Sequence, residues 1–242
     1  MIDVFIDTNI LHNRNEQLDK ALFVEKLKEI IGEIEINDIY TEIKILLPRM
    51  VLNELYQQQL EMFDDLNKRL ENVSMPNMQY DRAFNYGEYL ETIFKKAIME
   101  LKQGIVAVEV VDFPASDRLN SIISRAIKKE PPFEGKEKHS DKGFKDVLIW
   151  ESIKEYKEKH INDIIVFYCN DNLLASNALR KEFKEDFRDE IYIEQKNALM
   201  KRLTTLCNKN ETEKTFSSQL NERIENCLSH NNEILYDLLM ED

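Results

Sequence analysis

The chain has 242 residues, 43% of them hydrophobic, which suits one substantial core or one domain with an appended piece. A formal net charge of −13 excludes a protein that coats nucleic acid nonspecifically, but leaves room for a local basic path. No apolar run nears the ~18 residues of a membrane span, and the acidic start is unlike a secretory leader.

Val4, Phe5 and Ile6 form an unbroken apolar run, the pattern of a strand buried on both faces of a parallel sheet. Leu18, Leu22, Val24, Leu27 and Ile31 then recur near helical spacing over about 16–31. KILLPRMV (44–51) reads as a second buried strand with Pro48 near its exit. An amphipathic helix follows over 52–71 through Leu55, Leu60, Phe63, Leu66 and Leu70. After the break NVSMPN, a helix spans 80–103 and stops at Gly104. IVAVEVVD (105–112) is the third strand, and 115–130 is a helix with Ser116 as its expected N-cap. PPFEGKEKHSDKG (131–143) is the clearest loop. A helix over 144–159, a fourth strand DIIVFYCND (163–171), a helix to about Phe187 and a fifth strand IYIEQ (191–195) complete the series.

Strands alternating with helices predict an α/β fold, a three-layer α/β/α sandwich on a central, mainly parallel sheet over 1–195. From 196 to 242 the pattern is a helical C-terminal extension. Leu220, Ile224, Cys227, Leu228, Ile234, Leu235 and Leu238 recur there at helical spacing. Such a stripe packs on its own domain, or docks a regulatory protein or a second copy.

Ligands and chemistry collect at the carboxyl ends of strands in parallel sheets. Four acids fall at strand-to-helix transitions: Asp7 after the first strand, Glu54 in the first turn after the second, Asp146 opening the helix after the loop, and Asp171 ending the fourth strand. Singly, Asp7 and Asp171 read as helix caps, and Glu54 and Asp146 as complements to a helix dipole. Together they can converge on one sheet edge. Carboxylates so crowded repel one another, and their pKa values rise. A divalent cation removes the conflict, and Mg²⁺ or Mn²⁺ takes such oxygen ligands.

Asn9 adds an amide to hold a carboxylate or water, and the Thr8 hydroxyl fixes the turn. The scattered histidines at 12, 139, 160 and 230 offer no metal-binding spacing. Cys169, Cys207 and Cys227 form no CxxC pair and read as reduced thiols of a cytoplasmic protein. Between Arg125 and Lys145, basic residues mix with Glu130, Glu134, Glu137 and Asp141. This stretch is either an ordinary solvated loop or a source of phosphate contacts, with Lys136, Lys138, Lys142 and Lys145 as candidates.

With DTN closing the first strand, VLNEL after the second, KGFKD opening a later helix and ND after the fourth strand, the chain resembles the PIN domain family. The KGFKDVLIW string is similar to a prokaryotic PIN-like subgroup. The resemblance covers roughly residues 1–195 and implies a metal-dependent nuclease with Asp7, Glu54, Asp146 and Asp171 as its acidic quartet. Asn9 matches the polar position after the first acid. A nucleic-acid substrate is implied, RNA favoured over DNA, in a toxin or phage-defence setting. There are departures: Cys169 stands where members often carry Thr or Ser, and the tail after 195 has no counterpart. Asp141 is an additional acid whose place before a helix reads as an N-cap. A haloacid-dehalogenase-type phosphatase needs a second acid where Asn9 stands, and no GxGxxG exists for a dinucleotide. The remaining alternative is a PIN-like binding or scaffold module, which has no need of four mutually repelling acids.

Overall fold

Five strands pair in parallel in the order β3-β2-β1-β4-β5: β1 Ile2–Ile6, β2 Ile43–Pro48, β3 Ala107–Val111, β4 Ile164–Tyr168 and β5 Tyr192–Glu194. In this computed structural model the described residues are 1–15, 17–71, 84–133 and 143–210, with 212, 215, 218 and 221. β1 lies at the centre, with Val4 opposite Ile45 of β2 and Val166 of β4. Every β1 side chain is buried, so its sequence shows a continuous run rather than alternation.

The helices are α1 Thr8–Leu11, α2 Phe23–Ile36, α3 Arg49–Glu71, α4 Tyr86–Lys102, α5 Leu119–Lys128, α6 Phe144–Lys159 and α7 Asn177–Phe187. Short 3₁₀ turns lie at Tyr40–Glu42, Ser116–Arg118 and Lys196–Ala198. The result is the α/β/α sandwich expected from the sequence, with an all-parallel sheet. The chain divides into two compact units, Met1–Met200 and Lys201–Asp242, and residues 201–210 of the second are helical. No described helix is long and apolar enough to cross a membrane. The apolar tail positions Leu220, Ile224, Cys227, Leu228, Ile234, Leu235 and Leu238 lie outside the described residues, as do 80–83 and 134–142.

Several local expectations shift, among them the fourth strand, which ends at Tyr168 rather than at Asp171, and the helix expected from 80, which starts at Tyr86. The helix expected over 16–31 starts at Phe23. Before it, the Leu22 N–H donates to Gln59 Oε1 (3.2 Å), and Leu18 O accepts from the Tyr86 hydroxyl (2.9 Å). Tertiary partners thus satisfy an irregular backbone. β2 ends at Pro48 and α3 begins at once, because proline cannot donate to the ladder but suits a helix entrance. Ser116 opens a 3₁₀ turn without a side-chain cap. There the Ala115 N–H finds Glu155 Oε2 of α6 at 2.7 Å.

Phe5 meets Tyr156 edge-on, ring centroids 5.4 Å apart, in a core that also buries Trp150, Phe23, Phe167 and Phe183. Each such side chain contributes about 1.5–3 kcal/mol. A polar network ties three helices together. Arg125 of α5 donates to Glu182 Oε2 of α7 (3.0 Å), while Trp150 Nε1 (3.2 Å) and Lys154 Nζ (2.8 Å) of α6 donate to Glu182 Oε1.

Asp3, near the start of β1, is fully buried. Among the described residues neither of its oxygens makes a hydrogen bond of good geometry, although the Tyr156 hydroxyl lies near enough to pull its pKa down a little. Burial, with repulsion from Asp163, raises its pKa from 3.8 to about 6, against the pull of Lys44. A raised folded-state pKa gives stability that is complete below about 4 and lost as pH climbs through about 6. Asp3→Asn is therefore expected to match the wild type near pH 4 and exceed it at pH 8 by roughly 3 kcal/mol. Urea midpoints at the two pH values check this, and parallel pH profiles for the two proteins would contradict it.

Candidate active site

Asp7 follows β1 directly at the carboxyl edge of the sheet. Its N–H donates to Tyr168 O (3.0 Å), extending the β1–β4 pairing by one bond. Its residue surface is only 5% exposed. Asp7 holds the N-cap position of α1, yet its side chain makes no cap hydrogen bond. Capping therefore does not account for it. Burial lifts its pKa from 3.8 to about 7, opposed by a hydrogen bond from the Thr8 backbone. Repulsion from Asp146, Glu54 and Asp171 raises it further. The three other acids singled out in the sequence all act on this one carboxyl.

Each arrives from a different element. Glu54 lies in the second turn of α3, one turn later than expected, because the helix begins directly after Pro48. Thr8 Oγ1 donates to Glu54 Oε2 (2.7 Å), and Lys145 Nζ donates to Oε1 (2.9 Å). Both Glu54 oxygens are thus engaged. Asp146 stands in the first turn of α6 beside Lys145. Asp171 follows β4, and its Oδ1 accepts from Leu173 N (2.6 Å) and Leu174 N (3.0 Å). That bonding stabilises the turn after β4. Helix α7 has its own cap in Ser176, whose Oγ accepts from Leu179 N at 3.5 Å.

Asn9 ties two of these segments together, since its Oδ1 accepts from Asn170 N at 3.0 Å. Thr8 is more than a turn-fixer, because its hydroxyl orients Glu54. Lys145, read from sequence as a phosphate contact, meets Glu54 instead. Lys136, Lys138, Lys142 and Asp141 lie outside the described residues. Asn170 was not singled out, and its place in the ND step beside Asp171 was the available signal. Cys169 is buried, and burial with the charges of Asp7 and Asp171 pushes its thiol up to about 12. It is a neutral packing group rather than a nucleophile.

Gly143 sets where α6 begins. Its φ is +98°, and a Cβ there would lie 2.6 Å from Pro132 O and 2.8 Å from Phe133 Cα. Only glycine meets both conditions, so the glycine of KGFKD fixes the point from which Lys145 and Asp146 emerge. Along α3, one turn beyond Glu54, His12 Nδ1 sits 2.7 Å from Gln58 Oε1. These two residues line a cleft of about 800 Å³ with Arg14, Met62, Lys68 and Arg69.

Among the described residues no three His, Cys, Asp or Glu side chains form a group that could hold a metal ion. Glu54 is turned to Thr8 and to the Lys145 ammonium, which supplies positive charge at the site. In chemistry the donor set still fits a hard cation. It consists of carboxylate oxygens, and the buried Asp7 makes no ion pair among the described residues.

Fold and site together define a class, a parallel α/β protein whose carboxylates gather at the carboxyl ends of its central strands. The family model described as PIN domain matches residues 4–174, and the chain belongs to that family. The match spans all four acids. PIN domains are generally nucleases, act on nucleic acid and typically use divalent metals. No curated protein and no solved structure matches the chain.

Gly143→Ala is expected to lower stability by roughly 1–3 kcal/mol, from the strained φ and the backbone clash together. A urea midpoint equal to that of the wild type would show that the start of α6 is not fixed by this residue.

Proposed function

We propose that this PIN-family chain is an endoribonuclease that hydrolyses phosphodiester bonds with Mg²⁺ or Mn²⁺ held by Asp7, Glu54, Asp146 and Asp171. The observation that supports this most is the state of Asp7. A carboxyl nearly shut off from water, under repulsion from three others, costs a scaffold stability and gives it nothing. A divalent cation bound there lowers the pKa of an attacking water and neutralises charge on the phosphodiester.

The protein's own residues hold that arrangement. Thr8 orients Glu54, and Asn9 joins the turns that carry Asp7 and Asp171. Lys145 offsets the charge of Glu54 through a side chain that is 57% exposed. Its flexible stem allows it to turn to a substrate phosphate instead. Lys136, Lys138 and Lys142 add phosphate contacts in this reading. The preference for RNA over DNA and a toxin or phage-defence role rest on family resemblance.

Labelled single-stranded RNA, tRNA and DNA incubated with the purified chain test the proposal. RNA cleavage is expected in Mg²⁺ or Mn²⁺ and none in excess EDTA. Asp146→Asn should cut the rate by roughly a thousandfold, a loss of several kcal/mol of transition-state stabilisation. Its melting temperature without metal should hold or rise. Full activity in EDTA would overturn the metal-dependent reading, and an unfolded Asp146→Asn would make that residue structural.

A further inference from the structure

Thr8 and His12 stand on consecutive turns at the end of α1, since the His12 N–H donates to Thr8 O at 2.8 Å. Glu54 and Gln58 stand on consecutive turns of α3. The two elements therefore meet in two rungs. Thr8 Oγ1 donates to Glu54 Oε2 (2.7 Å), and His12 Nδ1 lies 2.7 Å from Gln58 Oε1. The first rung belongs to the acidic site. The second lies four residues, about 6 Å, farther along the helix, and no step of the proposed hydrolysis uses it. That distance is close to the step between neighbouring phosphates of an extended single strand.

The second rung opens on the 800 Å³ cleft. Half-buried Leu18, Met62 and Leu66 supply its apolar surface, and exposed Arg14 lies at its rim. Its two acids are engaged by neighbours on α3: Glu61 accepts from Gln57 Nε2 (3.3 Å), and Asp65 pairs with Lys68 (3.5 Å). An apolar lining with a few convergent polar groups suits a flat ring, whereas a track for phosphates alone needs only cations. With Gln58 Oε1 accepting from Nδ1–H, the neutral His12 ring keeps Nε2 as an acceptor, and the Gln58 amide nitrogen remains a donor. Among the described residues neither atom has a further hydrogen-bond partner. An acceptor beside a donor complements the edge of a nucleobase, where the two also stand side by side.

We infer that His12 and Gln58 read the base of a nucleotide beside the scissile phosphate, with its ring against Leu18, Met62 and Leu66 and its phosphate near Arg14. The inference rests on the nuclease reading of the acidic site and gives that site a sequence preference.

RNA containing a randomised stretch, cut by the full chain in Mn²⁺ and sequenced at its new ends, tests it. The wild type should favour some bases over others by roughly tenfold at one position beside the cut, about the worth of one or two hydrogen bonds. Gln58→Ala and Gln58→Glu should lose that preference and leave those at other positions unchanged. Gln58→Glu keeps an acceptor for His12 and removes the donor, so a contact that only joined α1 to α3 would survive it with preference intact. Binding of a fluorescein-labelled RNA hexamer in EDTA, followed by anisotropy, gives a second readout. Gln58→Glu and Arg14→Glu should each raise Kd by roughly tenfold, and Arg14→Glu should also flatten the salt dependence. Should the Gln58 variants fail to fold, Arg14→Glu at the exposed rim decides through the hexamer. Cleavage whose base preference the Gln58 variants leave unchanged, or a wild type without preference beside the cut, overturns the subsite while the nuclease reading stands. A wild type that cuts nothing overturns the nuclease reading. The hexamer then decides the subsite, which stands as an RNA site if Gln58→Glu raises Kd and falls if Kd is unchanged.

Discussion

Much of the site follows from the burial of one carboxyl. β1 is central, so its side chains are buried on both faces, and the residue that follows it enters a low-dielectric layer at the sheet edge. Asp7 occupies that place with 5% of its surface exposed and a pKa raised to about 7. Nearby groups can be understood as responses to the same excess of negative charge. Glu54 draws a hydroxyl from Thr8 and an ammonium from Lys145. Asp171 places one oxygen against two backbone amides. The charge of Asp7 itself is left to a protonation equilibrium or to a cation.

The sheet was largely legible in the sequence for the same reason. Strands covered on both faces need no polar alternation, so VFI and IIVF stand out as runs, and helical spacing fills the intervals between them. Acids close after such runs fall at the sheet edge by topology alone: Asp7 directly follows β1, whereas Asp171 stands three residues beyond the end of β4 rather than closing that strand as expected. What the sequence concealed depends on packing between distant segments. Residues 17–22 are held by Gln59 and Tyr86 rather than by helical bonds. The acceptor near the start of α5 comes from Glu155, forty positions away. The Lys145–Glu54 contact joins residues 91 apart, and it exists because α6 packs beside α3. Local charge patterning had grouped Lys145 with the loop lysines instead.

Rigidity around the site has two sources. Gly143 allows α6 to start hard against the Pro132–Phe133 backbone, where any Cβ would collide. Farther along, the shared carboxylate of Glu182 fastens α5, α6 and α7 through Arg125, Trp150 and Lys154. In this part-buried network the hydrogen bonds offset the desolvation of the charges they join and hold the three helices to one another. The network thus fastens the helix that carries Asp146 to its neighbours.

The melting temperature of Asp7→Asn against the wild type at pH 8, with and without Mn²⁺, tests the central claim most directly. Without the cation the variant should melt higher, because it removes a buried charge repelled by three others. Adding Mn²⁺ should raise the wild type and leave the variant nearly unmoved, since a ligand stabilises only the state that binds it. A variant that melts lower without the cation, together with a wild type indifferent to Mn²⁺, would contradict the account.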